Sequence, residues 1–269
     1  MLIAAGAIVA LAAACVAWGW FEAGWLRTRV LETPIAGLPT ELVGLRVVHL
    51  SDFHLGVPSR GRRAVERAVA WAAERDPDLV LITGDLLSRR RGEPLLRRLL
   101  AELPRCYVVL GNHDYADSRD PFSQAAGVTD LAPATLLSGD AVTVELRGCS
   151  VQIAGVDPLT YAAGRARAER LADPAADLRI LLCHYPAIAR KLPAGAFDLV
   201  LAGHLHDGQI TIPYPGGKLR LAHLRARETR GLYPYPGGLL HVSPGLGTTF
   251  VPFRFFARPE ATELELTSV

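Results

Sequence analysis

The hydrophobic positions of this chain form one long apolar run at the start and many short ones after it. The first run extends from Met1 to Phe21 without a charged residue. As a helix rising about 1.5 Å per residue, it would span roughly 30 Å, the thickness of a bilayer's hydrocarbon core. Aromatic side chains cluster at its far end: Trp18, Trp20, Phe21 and Trp25. The pattern predicts an N-terminal membrane anchor, residues 1–26.

Three alternatives to an anchor are open from the sequence. A cleaved signal peptide would begin with a basic segment, which is missing. Residues 11–15 have some features of a lipoprotein cleavage site, again without a basic start. A buried core helix is the third alternative, although the run is terminal and alanine-rich. Arg27 and Arg29 follow the run, so the positive-inside rule favours a cytoplasmic body.

The rest of the chain alternates between strand and helix patterns. Proline and glycine punctuate residues 27–43, which predicts a linker. Continuous apolar runs then predict buried strands, and apolar residues at helical spacing predict two helices. The predicted strands of the first half are 45–50, 79–83 and 106–110, and the predicted helices are 61–75 and 93–103. The alternation is typical of an α/β protein, here a single domain over residues 44–269.

The second half of the chain is richer in strand patterns. The candidate strands are 142–146, 151–154, 179–182, 198–202, 239–242 and 262–266. The last of these alternates polar and apolar residues, which predicts a half-exposed edge strand.

Composition narrows the class of protein. Half of the 269 residues are hydrophobic and 21% are charged, which excludes a disordered chain. The net charge of +2 gives no indication of a nucleic-acid-binding surface, so no nucleic-acid partner is expected. The four cysteines form no CxxC pair and are interpreted as small buried side chains rather than as a disulfide framework.

Basic residues gather in one stretch, residues 218–230. They are Lys218, Arg220, Arg225, Arg227 and Arg230. Glu228 is the single acid of the stretch. The stretch is either a solvated loop or a surface for anionic lipid headgroups or a substrate diphosphate.

Polar residues with ligand chemistry follow five of the predicted strands. They are Asp52 and His54, Asp85, Asn112 and His113, His184, and His204 and His206. Ligands collect at the carboxyl ends of strands in α/β sheets. Carboxylate, amide oxygen and imidazole suit Mn²⁺, Fe²⁺ or Zn²⁺. Without His113 there are seven groups, too many for one ion but suitable for two ions that share a carboxylate, as in sites that act on phosphorus.

Each cluster alone has a plain structural explanation, since Gly-Asp is usually a turn and a lone histidine is usually a satisfied core or loop residue. Five such clusters at strand ends are far harder to explain by coincidence. His49, His223 and His241 have no such neighbours and are interpreted as structural.

The motifs resemble the signature blocks of the calcineurin-like metallophosphoesterase superfamily, in the same order and over about residues 44–267. The matching segments are Asp52-x-His54, Gly84-Asp85, Gly111-Asn112-His113-Asp114, His184 and Gly203-His204-Leu205-His206. Together with the anchor, residues 45–56 and 203–210 are more specifically similar to the membrane-anchored bacterial branch. Asp207 departs from that branch, which mostly has glycine there, and an extra carboxylate could change metal affinity or contact substrate.

The resemblance implies a four-layer α/β/β/α sandwich after one transmembrane helix, with two divalent ions, Mn²⁺ foremost and Zn²⁺ or Fe²⁺ as alternatives. The implied ligands are Asp52, His54 and His206 for one ion, Asn112, His184 and His204 for the other, and Asp85 as the bridge. A metal-bridging hydroxide would attack phosphorus. His113 would protonate the leaving oxygen, and Asp114 would orient His113.

The resemblance also implies a location and a substrate class. The protein would be a single-pass protein of the bacterial inner membrane. It would hydrolyse a phosphodiester or pyrophosphate bond in a membrane lipid or lipid precursor, such as a phospholipid or the UDP-2,3-diacylglucosamine of the lipid A pathway. The alternative is a tethered general phosphodiesterase that acts on nucleotides or soluble diesters.

Overall fold

The computed structural model describes residues 2–224 and 226–269. The helices are α1 (Leu2–Glu22), α2 (Gly61–Arg75), α3 (Glu93–Ala101) and α4 (Pro158–Ala162). The strands of the first half are β1 (Arg27–Ile35), β2 (Arg46–Leu50), β3 (Leu79–Thr83), β4 (Cys106–Val109), β5 (Thr135–Leu136), β6 (Asp140–Leu146) and β7 (Cys149–Val156). Those of the second half are β8 (Leu178–Cys183), β9 (Leu199–Ala202), β10 (Thr211–Tyr214), β11 (Gly217–Arg220), β12 (Gly231–Tyr235), β13 (Gly238–Val242) and β14 (Glu260–Ser268).

Two six-stranded sheets form the centre of the body. The strand order is β1-β14-β2-β3-β4-β5 in the first sheet and β12-β13-β9-β8-β7-β6 in the second. Strands β2, β3 and β4 run parallel in the first sheet, and β7, β8, β9 and β13 do so in the second. Parallel strands are buried on both faces, which explains their continuous apolar sequences. Strands β10 and β11 form a separate antiparallel hairpin.

The apolar side chains form three cores, and these define four layers. Helices α2 and α3 cover the outer face of the first sheet. The two sheets face each other across a second core that includes Val47, Leu81, Ile153 and Ile180. On the outer face of the second sheet lie α4 and the 3₁₀ turn Pro186–Arg190. The α/β class and the layered sandwich are confirmed, with short turns instead of long helices in the fourth layer.

The segment 27–43 differs from the predicted linker, because it contains strand β1. This strand pairs in parallel with β14 over its whole length, from Arg27↔Glu260 to Ile35↔Ser268. Pro34 is tolerated within it because β1 lies at the edge of the sheet, where its missing N–H leaves no ladder bond unmade. The linker prediction is therefore corrected for residues 27–35, and the division into anchor and α/β domain stays a prediction.

Strand β14 lies inside the first sheet, so the prediction of an edge strand is wrong. It is flanked by β1 and β2. Its fully buried Glu263 accepts hydrogen bonds from the guanidinium of Arg75 at the end of α2, at 2.8 Å from Nε and 2.5 Å from Nη2. The polar pattern of β14 suggested solvent exposure, but one of its acidic residues instead forms an ion pair with α2, the helix that covers the sheet.

Helix α1 is long and apolar enough to cross a membrane, and only 6% of this span is buried. Its interpretation as a buried core helix is therefore wrong. Its last turn contacts the body, because Arg254 donates its backbone N–H to Gly19 O (3.0 Å) and Ala257 donates its own to Glu22 Oε1 (2.8 Å). The helix is a candidate membrane span whose C-terminal end is fixed to the body.

Candidate metal centre

The polar residues predicted from the strand ends meet at one edge of the sandwich. Asp52 and His54 follow β2, Asp85 follows β3 and Asn112 follows β4, all in the first sheet. In the second sheet, His184 follows β8, and His204 and His206 follow β9. Because the carboxyl ends of both sets of parallel strands point the same way, the two sheets contribute to one site.

Several of these residues have a left-handed backbone, which is strained for residues other than glycine. The φ angles are 55° at Asp52, 47° at His54, 54° at Asp85, 74° at His204 and 49° at His206. Such conformations cost about 1–3 kcal/mol each and cluster at functional sites. The rest of the fold therefore holds these side chains in place at an energetic cost.

The first group of ligand atoms belongs to Asp52, His54, Asp85 and His206. These atoms all lie within 4.8 Å of one another, and all four residues are buried. His54 Nε2 lies 3.2 Å from His206 Nε2 and 3.5 Å from Asp85 Oδ2. His206 Nε2 lies 3.3 Å from Asp52 Oδ1. The group can hold one metal ion with mixed nitrogen and oxygen donors.

The second group of ligand atoms belongs to Asp85, His184 and His204, again within 4.8 Å of one another. His184 Nε2 lies 3.3 Å from Asp85 Oδ2, 3.1 Å from His204 Nδ1 and 3.1 Å from Asn112 Oδ1. Asp85 belongs to both groups. Its carboxylate therefore lies where a bridge between two ions would be needed.

Buried hydrogen bonds orient the ligand side chains from behind. His184 Nδ1 lies 2.8 Å from Thr83 O and must donate to it, because a carbonyl oxygen only accepts. His54 Nδ1 lies 3.0 Å from Ser88 Oγ, and His206 Nδ1 lies 3.1 Å from Arg254 Nη2. Such outer contacts fix the orientation of ligand imidazoles. Sequence reasoning missed Ser88 and Arg254, since neither belongs to a recognisable motif.

The electrostatics of the site suit cations. Burial lowers the pKa of His54 and of His204 to about 3, so both imidazoles are neutral at pH 7. Burial also acts to lower the pKa of His184, but the neighbouring Asp85 outweighs it and raises this pKa to about 9. The field that stabilises a proton on His184 also favours a metal cation in its place.

His113 lies at the edge of the ligand groups. Its ring meets that of His54 edge-on, with 4.7 Å between the centroids, and its Nε2 lies 3.0 Å from Ser118 Oγ. Its Nδ1 is buried without a hydrogen-bond partner in the described part of the chain, and Asp120 Oδ2 lies 4.0 Å away. A buried nitrogen without a partner is typical of a group that acts on a ligand.

Asp114 does not orient His113, and this prediction is corrected. Its carboxylate accepts the backbone N–H groups of Leu87 and Gly111, both at 2.9 Å, and so ties the loops after β3 and β4 together. The carboxylate beside the His113 ring is that of Asp120, which sequence reasoning missed. Asp120 follows the motif by several residues, and nothing in the local pattern separates it from a turn aspartate.

Asp207 is buried and holds the basic stretch against the site. Its carboxylate accepts from Thr229 Oγ1 at 2.9 Å and lies 3.3 Å from Lys218 Nζ. Arg220 and Arg230 approach it at 3.5 and 3.6 Å. Asp207 therefore anchors both ends of the basic stretch, at residues 218–220 and 229–230, beside the predicted metal ligand His206. Arg225, which the sequence analysis counted in this stretch, lies outside the described residues.

A cavity of about 790 Å³ opens over both ligand groups, and Asn112, His113, His204 and His206 form part of its wall. Its lining also includes exposed apolar side chains, with Leu221 and Phe250 at 49% and Val251 at 38% exposure. The same segment continues to α1, where the ring centroid of Phe253 lies 6.4 Å from that of Trp20. The cavity-lining segment that ends at Val251 is thus followed within two residues by a contact with the candidate membrane span.

Comparison with known proteins defines the class to which this site belongs. Residues 45–208 match the family model described as calcineurin-like phosphoesterase. This match covers more than half of the chain. The protein is therefore a phosphoesterase, a hydrolase with a site for divalent metals, and it belongs to the calcineurin-like phosphoesterase family.

Three relatives illustrate its similarity within the family. The chain is 30% identical to the uncharacterized metallophosphoesterase YkoQ of Bacillus subtilis, over 84% of each chain. It is 34% identical to the transmembrane protein with metallophosphoesterase domain of Danio rerio, over 88% of this chain and 56% of the relative. It is 26% identical to the phosphodiesterase YaeI of Escherichia coli, over 92% of this chain and 89% of the relative.

Proposed function

We propose that this chain hydrolyses a phosphodiester or pyrophosphate bond in a membrane lipid or lipid precursor, with two divalent ions, in the first place Mn²⁺. One observation carries the choice of substrate. Exposed apolar side chains line the cavity over the ligand groups, and the segment that carries Phe250 and Val251 contacts the candidate membrane span at Phe253. A small soluble phosphodiester would cover little of this apolar surface. Acyl chains next to the scissile phosphate would contact it and remove it from water.

The donor set fits two ions. The proposed ligands are Asp52, His54 and His206 for one ion, Asn112, His184 and His204 for the other, and Asp85 for both. When bound, such ions neutralise phosphate charge and lower the pKa of a coordinated water to about 7. The burial of Asp52, His54, Asp85 and His206 keeps bulk water away from these proposed ligands.

His113 is the proposed proton donor to the leaving oxygen. It lies in the cavity wall beside His54, and its Nδ1 has no partner among the described residues, so the ring is free to face substrate. Asp120 Oδ2, at 4.0 Å from His113 Nδ1, is the proposed carboxylate that orients the ring. No serine or cysteine nucleophile is needed. Cys183 precedes the ligand His184 but is buried, and burial raises the pKa of its thiol to about 12.

The proposed location is the bacterial inner membrane, with α1 as a single span and the body in the cytoplasm. A relative in Danio rerio that is named a transmembrane protein supports the anchor. Arg27 and Arg29 directly after the span support a cytoplasmic body. Both make only long ion pairs with Glu260, at 3.5 and 3.8 Å.

The substrate proposal is tested with a trimmed chain that lacks residues 1–17. The cut leaves Gly19 and Glu22, which contact the body, in place. Full-length and trimmed proteins are assayed with Mn²⁺ on phospholipid and UDP-2,3-diacylglucosamine in vesicles, on cyclic nucleotides and on a soluble aryl phosphodiester. We expect the trimmed protein to retain hydrolysis of soluble diesters and to lose most hydrolysis of vesicle-borne lipid.

Two outcomes would contradict the proposal. Equal lipid hydrolysis by the trimmed and full-length proteins, or turnover of nucleotides alone, would favour the alternative of a tethered general phosphodiesterase. If no substrate were turned over although metal is bound, the proposed hydrolysis as a whole would be wrong for these substrate classes.

A further inference from the structure

A second cavity, of about 240 Å³, lies between the end of α1 and the body. We call it the junction pocket. Four cationic side chains contribute to its wall: Arg27, Lys218, Arg230 and Arg258. Trp18, Trp25 and Phe256 provide aromatic surface. None of the proposed metal ligands lines it, so this pocket is separate from the cavity over the metal centre.

The positive charges of the junction pocket are only partly balanced. Lys218 and Arg230 share Asp207, and Arg27 lies 3.5 Å from Glu260. Arg258 makes no ion pair in the described part of the chain. Its guanidinium donates to the carbonyl oxygens of Trp25 (3.1 Å) and Leu26 (2.9 Å) and stacks 3.8 Å from the Trp25 ring centroid.

The one acid in the wall of the junction pocket, Glu22, offsets the charge of Arg258 only in part, as does Glu260 nearby. Glu22 is buried and already accepts hydrogen bonds from Ala257 N at 2.8 Å and from Trp18 Nε1 at 3.0 Å. Burial lowers the pKa of Arg258, and the nearby charge of Arg27 lowers it further. Two guanidinium groups held close together beside an open pocket favour an anion between them.

The position of the junction pocket identifies the source of that anion. Tryptophan side chains at the end of a membrane span lie at the level of the lipid headgroups. Trp18 and Trp25 line the pocket, and both lie at the C-terminal end of the candidate span. The pocket therefore faces the layer of lipid phosphates, where each arginine adds affinity for anionic lipid.

We propose that the junction pocket binds the phosphate of an anionic lipid headgroup, with Arg27 and Arg258 as donors and with the aromatic side chains against the lipid. This is a binding site outside the metal centre, and it goes beyond the proposed hydrolysis. It rests on α1 being a membrane span. A bound lipid would contact α1, β1, the β10–β11 hairpin and the segment before β14 at once, and so fix the body relative to the membrane surface.

The test uses the full-length protein in neutral detergent micelles that contain phosphatidylglycerol or phosphatidylcholine. A ligand that binds the folded state raises the melting temperature by mass action. We expect phosphatidylglycerol to raise it more than phosphatidylcholine, also after metal ions are removed by chelation. The double variant Arg27→Gln/Arg258→Gln should bind phosphatidylglycerol about 30-fold more weakly, about fivefold for each arginine lost.

Matched variants distinguish specific binding in the junction pocket from general electrostatic attraction between the protein and an anionic micelle. Arg97→Gln/Arg98→Gln on α3 removes the same charge away from the junction pocket and should bind phosphatidylglycerol as the wild type does. Arg258→Lys keeps the charge but loses the planar fork that stacks on Trp25, so it should weaken binding. If the double variant folds poorly, Arg258→Gln is tested alone, because it leaves the Arg27–Glu260 pair intact.

The proposal is wrong if the double variant and Arg258→Gln keep the wild-type response to phosphatidylglycerol, or if Arg258→Lys binds as the wild type does. It is also wrong if chelation abolishes the response, because the lipid would then occupy the metal centre. Inorganic phosphate at the same concentration should not reproduce the response, and full reproduction would point to a free anion as the ligand. Extraction of the protein from membranes by alkaline carbonate would refute the anchor itself, independently of these results.

Discussion

His113 and the carboxylates near it differ in what their contacts allow them to do. The His113 ring lies in the cavity wall with Nδ1 unpartnered among the residues described. The Asp114 carboxylate is used up by two backbone N–H groups, whereas the Asp120 carboxylate faces the ring at 4.0 Å. The neighbours His113 and Asp114 therefore differ in their contacts: the His113 ring lies in the cavity wall, whereas the Asp114 carboxylate ties two loops together.

Replacing His113 by Ala should lower the turnover number on a phosphodiester by about 10²–10⁴-fold, because a proton donor to the leaving oxygen is lost. The metal content, measured by plasma mass spectrometry, should stay close to that of the wild type, since His113 belongs to neither ligand group. A variant that loses its metal together with its activity would show that His113 is a ligand rather than a proton donor.

Replacing Asp114 by Ala should destabilise the fold. The backbone N–H groups of Gly111 and Leu87 would be buried without acceptors, at a cost of about 1–3 kcal/mol each. Urea denaturation measures the free energy of unfolding. Ser118→Ala serves as the control, because Ser118 lies in the same loop region and contacts the His113 ring. If Asp114→Ala is no less stable than this control, its carboxylate does not support the loops.

At the scale of elements, the site exists because the ends of strands from two sheets approach very closely. Gly203, after β9, lies against Ser51 and Asp52, after β2, and a Cβ atom on Gly203 would overlap the side-chain oxygens of both. The ends of β3 and β4 approach in the same way, where a Cβ atom on Gly84 would lie 2.6 Å from Gly111 N. These glycines therefore allow the strand ends to approach each other, because no Cβ atom occupies the space between them. This role is additional to the one that glycine has in turns.

Replacing Gly203 by Ala should push the ends of β2 and β9 apart and separate Asp52 from His206. We expect most of the metal to be lost from the ligand group that both residues share, with a lower melting temperature. Gly6→Ala is the control, because nothing lies within 4 Å of the Cβ position there. Full metal content in Gly203→Ala would show that metal binding does not require this close approach of the ends of β2 and β9.

At the scale of the whole molecule, several histidines of the body have a pKa that their surroundings lower. The pKa is lowered at four buried histidines, His49, His54, His206 and His241, and at the partly exposed His204. Burial is the largest cause in each case. The free energy of unfolding therefore depends on pH, because each of these groups takes up a proton when the protein unfolds below pH 6.5.

The free energy of unfolding of the metal-free protein should therefore fall as the pH is lowered from 6.5 to 5. Burial raises the pKa of Asp52 to about 6 and that of Asp114 to about 7, which opposes the trend, but with His184 these are three groups against five histidines. His184 also opposes the trend near pH 6.5, because its pKa is raised to about 9 in the folded state but has its ordinary value of about 6.5 in the unfolded state. Urea denaturation at several pH values measures the slope.

His241→Asn provides the matched variant for this pH dependence, because His241 is buried but belongs to neither ligand group. It should reduce the slope by about 1.4 kcal/mol per pH unit, the value of one proton. A free energy of unfolding that is constant or rises between pH 6.5 and 5 would contradict the argument.

Much of the site could be predicted from the sequence because its ligands follow strands with a clear apolar pattern. Asp52, Asp85 and His184 each come directly after such a strand, and parallel strands bring their carboxyl ends to one edge. Ser88, Asp120 and Arg254 could not be found in this way. They reach the site from loops, and no periodicity determines where a loop folds back.

The sequence by itself determined the long apolar segment, the order of the buried strands and the ligand types at their ends, because these depend on local patterns and residue chemistry. Only the tertiary structure decided that residues 27–35 form a strand, that Asp114 holds loops rather than His113, and that Asp207 gathers the basic stretch. It also decided that α1 docks its last turn beside a cationic pocket. These features depend on which segments pack against one another in the folded chain, and no local pattern of residues determines that.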